Sequence, residues 1–249
     1  MLTDPAFWDD FWKDADHDQQ VDLRHSYDRC FARTFQRWLP YRPDWKLIEL
    51  GCAPGRWLIY FHQKFGYQVS GCDSAPQAVE VTRASVARAN VPAEIILADI
   101  MEAPLSAGAY DVVLSLGFIE HFTDPWPVLE RHVRLAKPGG IVVLEIPNFT
   151  GLNRWILQRG AHRLLEAHNT RMMSLSFFRE LAGRFNLQTR YFGYIGGVEP
   201  ALWDASGQNF WVLNGIRVVS RMRRWLPVLD HVNLPWFSGF LMGVFTVPA

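Results

Sequence analysis

The chain has 249 residues, of which 25 are basic and 25 acidic, so no net charge draws it to nucleic acid. The length suits one large domain with sizeable insertions, spanning residues 1–249. Three cysteines (Cys30, Cys52, Cys72) without a CxxC pairing or a secretory leader point to a reducing cytoplasm rather than a disulfide framework.

Residues 1–45 precede any strand pattern. Phe7, Trp8, Phe11 and Trp12 recur at helical spacing after Asp4-Pro5, a good helix start, and Asp22 to Trp38 reads as a second helix. Lys46 to Gly55 then reads K-L-I-E-L-G-C-A-P-G. Leu47, Ile48 and Leu50 make the short apolar run of a strand buried on both faces, and Gly51 to Gly55 force a tight turn. A helix from Arg56 to Lys64 follows, with Trp57, Leu58 and Phe61 on one face. A dinucleotide fold would want GxGxxG at this turn, and a P-loop its lysine; neither is present. An acidic strand end at Glu49 beside a glycine turn suits a ligand with an amino group and a cationic centre.

Val69 to Cys72 is a second strand, with Asp73 at its end, 18 residues after Gly55 and near the distance at which a carboxylate receives a ribose. The other reading of Asp73 is a cap on the helix Gln77 to Ala89, for which Ser74 can also serve. Glu94 to Leu97 is a third strand. Asp99-Ile100-Met101 after it offers an acceptor and two apolar residues, as an adenine ring requires, or a solvated turn. Tyr110 to Leu116 is a fourth strand and leads into Gly117-Phe118-Ile119-Glu120-His121. A helix from Val128 to Leu135, the turn Lys137-Pro138-Gly139-Gly140 and an apolar strand from Ile141 to Ile146 complete the regular alternation.

Beyond Asn148 the pattern changes. Leu152 to Ala167 is basic and amphipathic, and His168-Asn169 follow it. Ser174 to Phe185 is a capped helix, Leu187 to Ile195 a sixth strand, and Gly239 to Val247 an apolar closing strand. Between the last two, Gly196 to Phe237 is an insertion holding a basic amphipathic helix from Phe210 to Trp225. Such a helix can cover a substrate, dock as a lid or lie on an anionic membrane. No apolar run is long enough to span a bilayer. No Cys/His spacing suggests a metal site, and neither His121 with His132 nor His162 with His168 supports one.

Glu49-x-Gly51-x-Ala53-x-Gly55, Asp73, Asp99-Ile100 and Leu135-x-Lys137-Pro138-Gly139-Gly140, in this order, resemble the class I S-adenosylmethionine (SAM) methyltransferases. The first motif of that family is (Glu/Asp)-x-Gly-x-Gly-x-Gly, so Ala53 is a departure that leaves less room for the ligand. The resemblance covers about Leu47 to Asn148. It implies a Rossmann-like α/β fold: a doubly wound, seven-stranded, mostly parallel sheet with an antiparallel last strand. Helical covers would lie at 1–45, 149–173 and 196–237.

The resemblance also implies SAM as cofactor and S-adenosylhomocysteine as product. Cofactor contacts would come from Glu49, Gly51, Cys52, Ala53, Gly55, Asp73, Ser74, Asp99, Ile100, Met101, Leu116, Gly117 and Phe118. Enzymes that methylate nucleobase amino groups carry Asn/Asp/Ser-Pro-Pro-Tyr/Phe after the fourth strand. Ser115-Leu116-Gly117-Phe118 is not that motif, and Glu120-His121 looks like the small-molecule branch.

The implied reaction is in-line methyl transfer to oxygen or nitrogen of a small or medium-sized, aromatic or hydrophobic acceptor. His121 and Glu120 are the catalytic candidates, with His121 either a general base or a packing residue of the cofactor loop. Trp12, Arg24, Tyr27, His168 and Trp203 are candidate acceptor contacts, each of which can instead pack. Two alternatives stand beside this reading: a lipid-linked or glycan acceptor reached by peripheral membrane contact, and a SAM-binding module without catalysis. The oligomeric state is left open.

Overall fold

The computed structural model of the chain describes residues 2–13, 20–160, 162–203, 210–225 and 232–249. Seven strands form one sheet: β1 (Lys46–Leu50), β2 (Gln68–Asp73), β3 (Ala93–Leu97), β4 (Tyr110–Leu116), β5 (Ala136–Pro147), β6 (Gln188–Val198) and β7 (Ser238–Thr246). Their order is β3-β2-β1-β4-β5-β7-β6. The first five run parallel, and β7 enters antiparallel between β5 and β6. The doubly wound sheet with its reversed last strand is therefore present as expected.

Nine helices are described: α1 (Pro5–Lys13), α2 (Ser26–Trp38), α3 (Arg56–Phe65), α4 (Pro76–Arg88), α5 (Trp126–Leu135), α6 (Gly151–Gly160), α7 (His162–Glu166), α8 (Leu175–Arg184) and α9 (Phe210–Trp225). Among the described residues none is long and apolar enough to cross a membrane.

The central strands read as continuous apolar runs because both of their faces are covered. Leu47, Val112, Leu114, Val143 and Val244 pack on one side with Phe31 and Phe35 of α2 and Trp57 and Phe61 of α3. Ile48, Leu50, Val113, Leu144 and Phe245 pack on the other with Leu129 of α5 and Phe178 and Leu181 of α8.

Local chemistry shifts some boundaries. The second helix begins at Ser26 rather than Asp22. The Asp22 N–H donates to the Asp28 carboxylate, and the Asp22 carboxylate accepts the N–H and guanidinium of Arg24, so residues 22–25 form a turn. Lys137 to Gly140 lie inside β5, accommodated by a register shift against β4 between Tyr110 and Val112. Ser74 does not cap α4. Asp73 Oδ1 accepts the N–H of Ala75, and Asp9 of α1 accepts the N–H of Gln77 at 2.9 Å. Ser174 does cap α8, accepting the N–H of Phe177. Within the Gly196–Phe237 insertion, residues 204–209 and 226–231 lie outside the described residues.

Candidate functional site

In an open parallel sheet, ligands bind beyond the strand carboxyl ends where neighbouring connections diverge. Here that point lies between β1 and β4, which pair directly. A cavity of about 630 Å³ opens there, lined by Glu49, Gly51, Cys52, Ala53, Gly55, Leu116, Gly117, Glu120 and His121 from these two strand ends. Glu145 near the end of β5 and Phe149 just beyond it close the cavity, with Trp8 and Trp12 from α1, Tyr27 from α2, and His168 from the loop after α7. A smaller lobe of about 160 Å³ shares the wall at Gly51, Ala53, Gly117 and His121, and adds Asp73, Ser74 and Phe118.

The turn after β1 is built for close approach. Gly51 and Gly55 adopt positive φ of 71° and 87°, whereas Ala53 does not. The middle glycine of the motif is therefore not needed for backbone conformation, and its replacement causes no strain. A Cβ at Gly51 would lie 2.5 Å from the Phe118 ring, so that ring seats directly on the glycine.

Three buried carboxylates face the cavity. Glu49 Oε2, Glu120 Oε2 and Glu145 Oε1 have no hydrogen-bond partner among the described residues. Burial pushes Glu49 and Glu145 well above the usual carboxylate range; Asp73 adds to the first, against the pull of Arg56, and Glu120 to the second. Burial also pushes Glu120 up to about 8. Unpaired buried acceptors are costly, and a cation bound among them would offset that cost. Asp73 in the smaller lobe is raised to about 6 by burial, against the backbone N–H groups of Ala75, Ser74 and Ala53.

His121 ends a 3₁₀ turn (Ile119–His121) and donates from Nδ1 to the carbonyl of Ala167 at 2.9 Å. The edge of the Trp8 ring packs on it at 4.9 Å between centroids, and the His168 ring lies at 4.4 Å. Burial lowers its pKa, against the carbonyls of Ala167 and Gly117. His168 donates from Nδ1 to the carbonyl of Leu164 at 2.6 Å, and burial with the nearby His121 pushes it down to about 3. Asn169 clasps the two loops: its N–H donates to the Glu120 carbonyl at 2.7 Å and its amide to those of Phe122 and Thr123. His132 is elsewhere, buried on α5 between the Val128 carbonyl and the Ser115 hydroxyl.

Of the other candidates, Trp12, Tyr27 and His168 reach the cavity. Arg24 does not: its side chain is 90% exposed and paired with Asp22. Trp203 is buried with its indole N–H on Asn153 Oδ1 at 2.9 Å, and it lines neither lobe. Asp99 is exposed and accepts the N–H of Met101, while Ile100 is buried in the core; none of the three lines either lobe.

The sequence reading missed Trp8, Phe149, Arg56, Glu145 and Asn169. Glu145 carried a signal, as a carboxylate inside an otherwise apolar strand. Arg56 pairs with buried Asp28 and lies over the Tyr27 ring at 4.8 Å, bracing α2 against the turn.

Residues 48–144 match the family described as "Methyltransferase domain". The 27-O-demethylrifamycin SV methyltransferase of Amycolatopsis mediterranei is 29% identical over 46% of this chain and 44% of its own. A ubiquinone biosynthesis O-methyltransferase of Methylobacterium nodulans is 33% identical over 51% of each. The matched stretch thus spans about half the length of these relatives. Geranyl diphosphate C-methyltransferase from Streptomyces coelicolor, at 14% identity, superposes with a TM-score of 0.61 over 87% of this chain and 76% of that one. Residues 48–144 thus match a methyltransferase domain, and that stretch holds the turn after β1 and the crevice between β1 and β4.

Proposed function

We propose that the chain transfers a methyl group from SAM to oxygen or nitrogen of a small or medium-sized, aromatic or hydrophobic acceptor. The observation that carries this is the ring of unpaired buried carboxylates at the strand ends, which calls for a cationic ligand. Glu49 would take the SAM amino group, the Gly51–Gly55 turn its carboxylate end, and Asp73 the ribose diol. Asp99, Ile100 and Met101 line neither lobe, so they would meet adenine only after a local rearrangement of the wall. The larger lobe, with Trp8, Trp12, Tyr27 and Phe149 on its walls, would hold the acceptor. The names of the rifamycin and ubiquinone-pathway relatives support a small-molecule acceptor.

The sulfonium carbon is already electrophilic. The protein's main task is to align nucleophile, methyl and leaving sulfur, which is worth up to about 7–11 kcal/mol in well-oriented systems. Incubation with methyl-labelled SAM and a panel of phenols, hydroxylated polyketides and amines is expected to yield acceptor-dependent S-adenosylhomocysteine. SAM binding with no turnover on any acceptor would leave a binding module instead.

Asp73 supplies a pH test. Its ionised form accepts both ribose hydroxyls, so SAM affinity should loosen as pH falls through about 6. Without ligand the sign is opposite: a carboxylate raised from 3.8 costs stability as pH rises across that window. Asp73→Asn should bind SAM more weakly by about 1.5–3 kcal/mol at pH 7.5 and show neither dependence. Equal affinity would leave Asp73 only its bond to Ala75.

A membrane-face acceptor is the second reading. Val218, Met222 and Trp225 form an exposed apolar stripe on α9 beside Arg217 and Arg221. Sedimentation with anionic vesicles at low salt is expected to leave the protein in the supernatant. Salt-sensitive pelleting would move the acceptor to the membrane.

A further inference from the structure

We propose that Glu120, His121 and His168 bind one divalent transition-metal ion in the wall of the larger lobe, with its remaining coordination positions open to an acceptor oxygen. The second part rests on the methyl-transfer reading above; the first does not.

One ligand atom from each of the three side chains lies within 4.8 Å of the others, although His168 is 47 positions after His121. Both imidazoles are prepared in the same way. Each Nδ1–H is held by a backbone carbonyl, Ala167 for His121 and Leu164 for His168, which leaves Nε2 to carry the lone pair. Such an outer hydrogen bond fixes the tautomer and the ring orientation of metal-bound histidine. Glu120 lines the same cavity; its Oε1 lies 3.9 Å from His121 Nε2, and its buried Oε2 has no hydrogen-bond partner among the described residues. Asn169 ties the His168 loop to the backbone of Glu120, Phe122 and Thr123, so the third ligand is stapled to the first two.

Two nitrogens and one carboxylate oxygen suit zinc, cobalt, manganese or iron rather than magnesium or calcium. Ligand bonds of about 2.0–2.2 Å need donors roughly 3–3.5 Å apart, so the cluster would tighten by about an ångström on loading. Three protein ligands leave the site open, the pattern of a catalytic rather than a structural metal.

An acceptor hydroxyl bound to such an ion loses its proton to solvent near neutral pH. The oxygen then attacks the SAM methyl carbon. The new O–CH₃ bond forms as the S–CH₃ bond breaks, and that electron pair stays on sulfur in S-adenosylhomocysteine. The site thus favours O-methylation of a hydroxylated acceptor.

The test uses the full chain, stripped with chelator and titrated with Co²⁺ and Zn²⁺ by calorimetry and by the visible spectrum of Co²⁺. One ion per chain is expected. Glu120→Gln and His168→Gln should weaken it about tenfold or more, while the circular dichroism of both variants and the SAM affinity of His168→Gln stay close to the parent. In the unaltered protein, substoichiometric Mn²⁺ should broaden the ring protons of His121 and His168 before those of other histidines. Uptake well below one ion per chain, parental affinity in both variants, or broadening at other histidines would each overturn the site. Co²⁺ bound as described with no SAM binding would sink the methyl-transfer reading and leave the metal site standing. A metal-loaded protein whose methyl transfer survives chelation would overturn the role given to the open positions.

Discussion

Glu49→Gln is expected to weaken SAM binding by about 10–150-fold, the loss of one charge-assisted hydrogen bond of about 1.5–3 kcal/mol. Melting of the ligand-free protein should stay level or rise. Glu49 is 4% exposed, one of its oxygens has no partner, and ionising it in the empty site costs stability. The amide keeps the shape and removes that charge. A structural carboxylate would behave in the opposite way, its loss lowering the melting temperature along with the affinity. Calorimetry and a thermal melt on the same preparation separate the two, and a lower melting temperature with unchanged affinity would remove Glu49 from the cofactor site.

His121→Ala is expected to lower turnover, SAM affinity and melting temperature together. The ring holds the loop after β4 to Ala167 and supports Trp8 of α1, and the backbone carbonyl of His121 accepts the Leu2 N–H. Loss of about 1–3 kcal/mol of such contacts corresponds to about 2–12 °C in a chain of this size. A histidine acting only as a general base would behave differently. Its removal would cut turnover by about 10²–10⁴-fold with affinity and melting temperature unmoved, and an acid limb in the native pH profile would disappear. That outcome would contradict the positioning role given to His121.

The sheet was legible because its central strands are buried on both faces, which leaves uninterrupted apolar runs in β1, β4 and β5. The turn after β1 was legible because Gly51 and Gly55 need a conformation that other residues rarely adopt. What escaped the sequence depends on long-range partners. Ala53 departs from the motif's middle glycine at a position whose φ is not positive, so the backbone there needs no glycine. Arg24 read as a site residue because nothing in a helical pattern shows a fork of hydrogen bonds to Asp22. Ser74 read as a cap, and Asp9, 68 positions from Gln77, takes that part. The Glu120–His121–His168 cluster has no spacing to read. Asn169 assembles it through three backbone carbonyls, whereas the His132 ring bonds Ser115 in the core.

The most direct measurement is a calorimetric titration of the full chain with SAM, with NAD as the control. The expected result is one SAM bound per chain, with a dissociation constant on the order of micromolar, and no heat from NAD. Tight NAD binding, or no SAM binding by a folded chain, would contradict the assignment of the crevice between β1 and β4 to this cofactor.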